Sequence, residues 1–159
     1  MSKVELDNID KKILGIIQND ATRPIQEIAE AVGLTSNPCW RRLRRLEEIG
    51  IIQKRIAVID PAKLGLKMTC FVRIHTSQHT GDWLETFKRS VSRIPEIVEC
   101  HRMTGEIDYL LKVIVRDLDH YDKVYQALIK YVPDLSDVSS SFSMERLKSG
   151  HDVNLSLIQ

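Results

Sequence analysis

The sequence predicts an α+β fold in two small domains: a winged-type, trihelical helix-turn-helix domain, then an antiparallel sheet domain with the element order βαββαβ. Three observations carry this prediction. Two short amphipathic helical patterns meet at Val32-Gly33-Leu34, the layout of a helix-turn-helix. A strand-period stretch, 67–76, precedes helical spacing at Leu84, Phe87, Val91 and Ile94, and strand and helix recur in the second half. A chain of 159 residues, 43% of them hydrophobic, can bury two small cores.

Asp7 is placed to cap the first helix, whose buried side is Ile9, Ile13, Ile16 and Ile17 with Leu14 beside them. In the second helix Ile25, Ile28, Ala29 and Val32 recur at i, i+3, i+4 and i+7, Pro24 suits the first turn, and Gly33 ends it. Thr35 or Ser36 caps the third, Pro38 is tolerated in its first turn, and Cys39, Leu43, Leu46 and Gly50 mark its inward face. At about 100° per residue, Asn37, Arg41, Arg44 and Arg45 cluster on the opposite side, with Trp40 and Arg42 at the flanks. A short basic helix after a tight turn is how many proteins enter a DNA groove. A solvated helix face, offset by Glu47 and Glu48, is the plain alternative.

Residues 51–59 are rich in β-branched types and stop at Asp60-Pro61, which predicts an extended linker strand. Lys54 and Arg55 on it can touch phosphates beside the basic helix, or simply guard a strand edge with charge. In 67–76 Met68, Cys70, Val72 and Ile74 alternate to one side. Pro95 ends the helix that follows, 97–103 forms a second strand, and Thr104-Gly105-Glu106-Ile107-Asp108 breaks the chain before a third at 109–115. Leu118, Tyr121, Val124, Tyr125, Leu128 and Val132 give a second helix, stopped by Pro133, and 138–147 supplies the last strand. This order is the ferredoxin-like, split-βαβ arrangement, one sheet with both helices on one face. A second copy of the domain is the economical cover for the other face. The expected boundaries are 1–52 for the helix-turn-helix domain, 53–65 for the linker strand and connection, 66–149 for the sheet domain and 150–159 for a tail.

Composition narrows the function classes. No run approaches the roughly 18 apolar residues of a membrane span, and no charged-then-apolar leader opens the chain, which predicts a cytoplasmic protein with no membrane partner. Residues 1–64 carry 11 Lys/Arg against 9 Asp/Glu, and 65–159 carry 12 against 13. So small an excess predicts weak DNA binding per subunit, and a tight complex needs several subunits on one DNA. Cys39, Cys70 and Cys100 form no CxxC pair and lie in apolar patterns, so buried reduced thiols are expected and neither disulfides nor a metal site. No activated nucleophile or phosphate loop is visible, and His75, His79, His101, His120 and His151 fall at unrelated positions. An enzyme is therefore not expected, nor a cofactor.

The segments LDNIDKKIL and TSNPCWRRLRRLEEIGII, the connection AVIDPAKLGL, and TGEIDYLL and SSFSMERLK resemble the Lrp/AsnC family of bacterial and archaeal feast/famine regulators over nearly the whole chain. The most specific parts are RRLRRLEEIGII together with G-x-x-D-Y at Gly105, Asp108 and Tyr109. The resemblance implies a transcription factor that dimerises through its sheet and linker strand and assembles dimers into a tetramer or an octameric disc. It also implies a small effector, commonly an amino acid, between subunits near the G-x-x-D motif. The variant NPCW with SSFSME looks like a subgroup whose members answer to various amino acids, so the effector itself does not follow.

The residues admit the same chemistry. A free amino acid presents an ammonium and a carboxylate about 2 to 3 Å apart, so its site needs a carboxylate beside amide or hydroxyl donors. Asp108 can meet the ammonium; backbone amides around Gly105 and Glu106, with hydroxyls of Thr104, Ser139 or Ser141, can meet the carboxylate. A local reading stands beside it: Gly105 supplies a positive φ, Asp108 caps the turn, and the serines are an exposed strand face. His101 and Tyr109 are sheet residues. On double-stranded DNA, Arg41, Arg44 and Arg45 are the expected base or phosphate contacts, Asn37 suits adenine, and Ser36 a phosphate at the helix start. Trp40 either stacks on a sugar or buttresses the first helix. A dimer would place two such helices in major grooves about 34 Å apart. An effector-blind architectural DNA organiser would share every feature except a working pocket.

Overall fold

The computed structural model describes residues 5–148 and 153–157. The chain forms two compact units: one comprises the described residues through Val58 together with Lys148 and 153–157, the other is Ile59–Leu147. Of the positions singled out above, His151 lies outside the described residues, as does all of the 150–159 tail except 153–157.

In the first unit α1 runs Asn8–Asn19, α2 Ile25–Val32 and α3 Ser36–Glu48. Reciprocal bonds close the start of α1: Asp7 Oδ1 accepts from Asp10 N at 2.8 Å, and Asp10 Oδ2 accepts from Asp7 N at 3.3 Å. Pro24 stands at the N-cap of α2, one position before the expected first turn, and Gly33 ends the helix in the left-handed region at φ 73°. Thr35 occupies the N-cap of α3, but its side chain makes no capping bond. The reason is Pro38, which stands where α1 has Asp10 and has no amide hydrogen to offer a cap.

The core of this unit joins Ile13, Leu14 and Ile17 to Ile28, Ala29 and Val32 and to Cys39, Leu43 and Leu46. Gly50 is not on the inward face. It is exposed at φ 77° and terminates α3, its N–H donating to Glu47 O at 3.0 Å while Ile51 N–H reaches Leu46 O at 3.0 Å. The expected linker strand is also corrected: among the described residues 51–59 joins no ladder, and Ile56, Val58 and Ile59 are exposed, Val58 at 76%. A strand needs a partner backbone, and the described chain supplies none here. Residues 153–157 return to the first unit. Leu155, in a short 3-10 turn at Leu155–Leu157, packs on the three-helix core, and the Gln18 side chain bonds both Val153 N (3.2 Å) and Val153 O (3.3 Å).

The second unit comprises β1 Met68–Thr76, α4 Gly81–Ser92, β2 Ile97–Arg102, β3 Tyr109–Val115, α5 Leu118–Tyr131 and β4 Leu135–Phe142. The strands are antiparallel in the order β2-β3-β1-β4, the split-βαβ topology. The register Cys70↔Val113, Val72↔Leu111 and Ile74↔Tyr109 lines one face of the sheet, which packs on Phe87 and Val91 of α4 and Val124 and Leu128 of α5. Trp83, absent from the expected helical stripe, belongs to this core: it stacks on Phe87 at 5.1 Å and donates Nε1–H to Pro133 O at 3.0 Å.

Three expectations for this unit are corrected. The last strand is Leu135–Phe142 rather than 138–147, because its partner β1 sets its ends: Thr76↔Leu135 opens the pairing, and Ser143 N→Thr69 O at 2.8 Å is the final bond. Leu118 is exposed at the first position of α5. Cys100 is exposed as well, since β2 is the edge strand and only its start, at Ile97, packs against the core. Among the described residues no helix is long and apolar enough to cross a membrane.

Candidate functional site

The turn at Gly33 and the burial of Cys39, Leu43 and Leu46 decide which side of α3 is free. Asn37, Trp40, Arg41 and Arg44 fall at i, i+3, i+4 and i+7 and form one exposed stripe, with Ser36 half-buried at its start. Trp40 lies on this outer face, and the Arg44 guanidinium carbon sits 5.5 Å from its ring centroid, a cation–π contact that holds the arginine along the stripe. Lys54 and Arg55 are exposed on the segment after the helix. Arg55 is paired: its Nη2 lies 2.9 Å from Glu47 Oε1, while Arg44 Nη1 lies 3.3 Å from Glu47 Oε2.

Arg45 and Arg42 do not stand with the others. Asp10 is 1% exposed, and a buried carboxylate needs cations. Its Oδ1 takes Arg42 Nη1 at 2.9 Å and its Oδ2 takes Arg45 Nη2 at 3.0 Å, which turns both guanidinium groups back to α1. Arg42 Nη1 also reaches Asp7 Oδ2 at 2.5 Å. The Asp7 carboxyl is held below its ordinary range by the Asp10 amide first and Arg42 second, and Arg42 is raised by Asp7 and then Asp10. The sequence reading missed Asp10. Its signal was present: Asp10, Ile13, Leu14 and Ile17 stand at i, i+3, i+4 and i+7, so the apolar stripe of α1 begins with a carboxylate.

In the second unit Thr104, Gly105 and Glu106 are exposed on the β2–β3 turn. Gly105 has φ 107°, the conformation a side chain resists, with open space where a Cβ would stand. Asp108 is half-buried and ties the turn to the sheet: its N–H donates to Ile74 O at 3.0 Å, its carbonyl accepts from Met103 N at 2.8 Å, and its Oδ2 accepts from Thr76 N at 2.9 Å. The other carboxylate oxygen, Oδ1, lies 3.9 Å from His79 Nε2.

Ser139 and Ser141 are not gathered to this turn within one chain. Ser139 pairs with Arg73 and Ser141 with Phe71, so both lie across β1 from β3. Two strand spacings put them about 10 Å aside, and Ser141 stands five residues from Thr76 along the strand, about 17 Å. Ser140, facing the helices, meets the Tyr121 hydroxyl. Burial pushes that phenol up to about 12. Burial likewise raises the thiols of Cys39 and Cys70, which keeps them protonated and unreactive. Tyr109 is buried in the core and His101 is exposed beside Glu99.

Comparison with known proteins bears on both units. Residues 6–53 match the model of a winged helix-turn-helix DNA-binding domain, and residues 69–153 match that of the Lrp/AsnC ligand-binding domain. The chain is 48% identical over 143 residues to the DNA-binding transcriptional activator DecR of Escherichia coli K12, covering 90% of this chain and 94% of that protein. It is similar in structure to an AsnC family transcriptional regulator from Agrobacterium tumefaciens, with a TM-score of 0.92 and 43% identity over 97% of this chain and 100% of the other. The transcriptional regulator NMB0573 of Neisseria meningitidis, solved as its L-Met complex, matches with a TM-score of 0.88 and 31% identity over 95% and 97%.

Proposed function

The chain belongs to the Lrp/AsnC family of DNA-binding transcriptional regulators, and on that premise we propose that it reads DNA with α3 and answers to a free amino acid bound at the 104–108 turn. The observation that carries the DNA half is the exposed stripe of Asn37, Trp40, Arg41 and Arg44 on the helix after the Gly33 turn. Arginine suits guanine O6/N7 and asparagine suits adenine, while Ser36, Lys54 and Arg55 would meet phosphates. Arg45, bonded to Asp10, contributes by fixing α3 against α1. Residues 1–52 form the reading domain, 53–65 the connection, 66–149 the effector and assembly domain, and 150–159 a tail.

For the effector half, Asp108 Oδ1, with His79 Nε2 3.9 Å away, is the oxygen that would meet an ammonium, because Oδ2 already accepts from Thr76. The Thr104 hydroxyl and the backbone amides of the exposed residues Gly105 and Glu106 can meet a carboxylate. Ser139 and Ser141 are too distant to join them in one chain, so they would enter the site from a neighbouring copy, which makes it a junction between subunits. The L-Met complex of the Neisseria regulator supports an amino acid as the class of effector.

Assembly follows from what is left uncovered. Phe71 on the open sheet face and Ile51, Ile56, Val58 and Ile59 are exposed, and a second copy is the economical cover for both. Dimers that assemble further, into a tetramer or octamer, would join several weak heads on one DNA. The effector then shifts the balance between assemblies, by no more than its preference for one over the other. The relatives are regulators rather than enzymes, and the proposed workplace is the cytoplasm, where DNA and free amino acids meet.

The experiment has three arms on the full chain. Replacing Arg41 and Arg44 together by alanine should weaken promoter binding and flatten its salt dependence; unchanged binding would remove α3 from the interface. Asp108→Ala should abolish the response to amino acids and spare DNA binding, and an intact response would remove the turn from the site. A thermal-shift screen of the twenty amino acids should find at least one that raises the melting temperature. No rise with any of them would favour the effector-blind organiser.

A further inference from the structure

We propose that Glu47 acts as an internal stand-in for a DNA phosphate, clasping Arg44 and Arg55 until the DNA backbone displaces it, so that this one carboxylate sets how tightly the unit holds DNA. The inference rests on the assignment of α3 as the DNA-reading helix. Both Glu47 oxygens are engaged, each by a different element: Oε2 by Arg44 of α3 at 3.3 Å and Oε1 by Arg55 of the following segment at 2.9 Å. One anion thus serves two guanidinium groups. Arg23, whose nearest carboxylate is Asp20 at 3.8 Å, lines the same groove, a space of about 270 Å³. The groove carries more positive charge than Glu47 answers.

A phosphate offers what the carboxylate offers and more. Both accept guanidinium bonds in the same forked geometry, and a phosphate has additional oxygens to take a third arginine. Ile25, Ile28, Trp40 and Leu43 line the same groove beside the charged groups. The contrast with Asp10 is physical. Asp10 is sealed in the core, and nothing from solvent can replace it on Arg42 and Arg45. Glu47 has a side chain 28% exposed at the rim, and both of its partners are half exposed, so an incoming anion can trade places with it.

Displacement would pass Arg44 and Arg55 together from Glu47 to the incoming phosphate. The two contacts should therefore be gained or lost together. The clasp also disfavours stray contact with weaker polyanions, since each must first break two ion pairs.

The test is the full-length Glu47→Gln variant, which keeps the side-chain volume and an acceptor oxygen but removes the charge. The probe is a 40-base-pair duplex selected in vitro with the wild-type protein, its binding followed by fluorescence anisotropy between 50 and 300 mM KCl. Losing two exposed ion pairs predicts a gain in affinity of about 2- to 30-fold at the lowest salt. The log–log salt slope should stay within about one unit of the wild-type value, since the same arginines meet the phosphate in both proteins. In an Arg55→Ala background the gain from Glu47→Gln should shrink, because the clasp is already half open. Unchanged affinity in Glu47→Gln, alongside weakened binding in Arg44→Ala, overturns the clasp and leaves the α3 assignment standing. Unchanged binding in Arg44→Ala removes that assignment and the clasp with it. A gain that is just as large in the Arg55→Ala background also overturns the clasp, since it would reflect bulk charge.

Discussion

Replacing Asp10 with asparagine tests whether the buried carboxylate, rather than apolar packing alone, orients the basic helix. Asp10 accepts from Arg42 at 2.9 Å, from Arg45 at 3.0 Å and from the Asp7 amide at 3.3 Å. An asparagine of the same shape keeps one acceptor oxygen and turns a donor toward the second guanidinium. A hydrogen bond to a charged group contributes about 1.5–3 kcal/mol. Here one is lost and one is weakened, but the arginine side chains are 31% and 48% exposed and can turn to water. The low end applies, so the cost is about 2–3 kcal/mol. For a unit of this size each kcal/mol moves the melting temperature by about 4–8 °C, which predicts a fall of roughly 8–24 °C. Scanning calorimetry of the full chain reads this, with tryptophan fluorescence to assign transitions, because Trp40 sits in the first unit and Trp83 in the second. A fall below 2 °C in the first unit, or an equal fall in both, would refute the reasoning. Adding Arg45→Ala to the Asp10→Asn variant should then cost little more, since the partner carboxylate is already gone.

Three further outcomes follow from single residues. Gly15→Ala should stabilise the first unit by about 0.5–1 kcal/mol, since the new Cβ would meet Leu155 Cδ1 at 3.7 Å, an ordinary contact in a helix interior; a lower urea midpoint would mean the returning tail packs closer than this. Tyr121 is pushed up to about 12, so the fold favours the protonated phenol. Its contribution is complete below the ordinary value near 10 and declines as the pH rises from about 10 to 12, by at most about 1.4 kcal/mol per unit. Urea melts at pH 9 and 11 should therefore differ more for wild type than for Tyr121→Phe, and equal differences would contradict the assignment. Gly105→Ala forces a side chain onto φ 107° and should cost the second unit about 1–2 kcal/mol although the space is open. An unchanged denaturation midpoint would show that the turn relaxes freely.

Much of the fold is written in local periodicity, which is why it could be anticipated. The stripes Ile25-Ile28-Ala29-Val32 and Cys39-Leu43-Leu46, and the alternation Cys70-Val72-Ile74, record which side of each element meets a core, and each of these residues except Ile25 is buried. Departures occur where a distant partner decides. The last strand takes its ends from β1, Trp83 joins its core by reaching Pro133 fifty residues away, and residues 51–59 form no strand because no described backbone pairs with them.

The candidate site divides along the same line. That α3 is short, basic and outward-facing on one side follows from residue type and a 100° turn per residue, as does a glycine turn before β3. Which arginines are available is a tertiary matter. Arg44 and Arg45 are neighbours in sequence, yet Arg44 lies along Trp40 toward solvent while Arg45 is drawn back by an aspartate 35 residues earlier. Asp108 spends one oxygen on a strand 32 residues before it. The sequence by itself determined the helices, the order of the sheet strands, most of their buried faces and the family; the tertiary structure alone decided the strand ends and which charges are compensated. Periodicity is a property of neighbours along the chain, whereas burying a charge requires a counter-charge that only the folded core brings within reach.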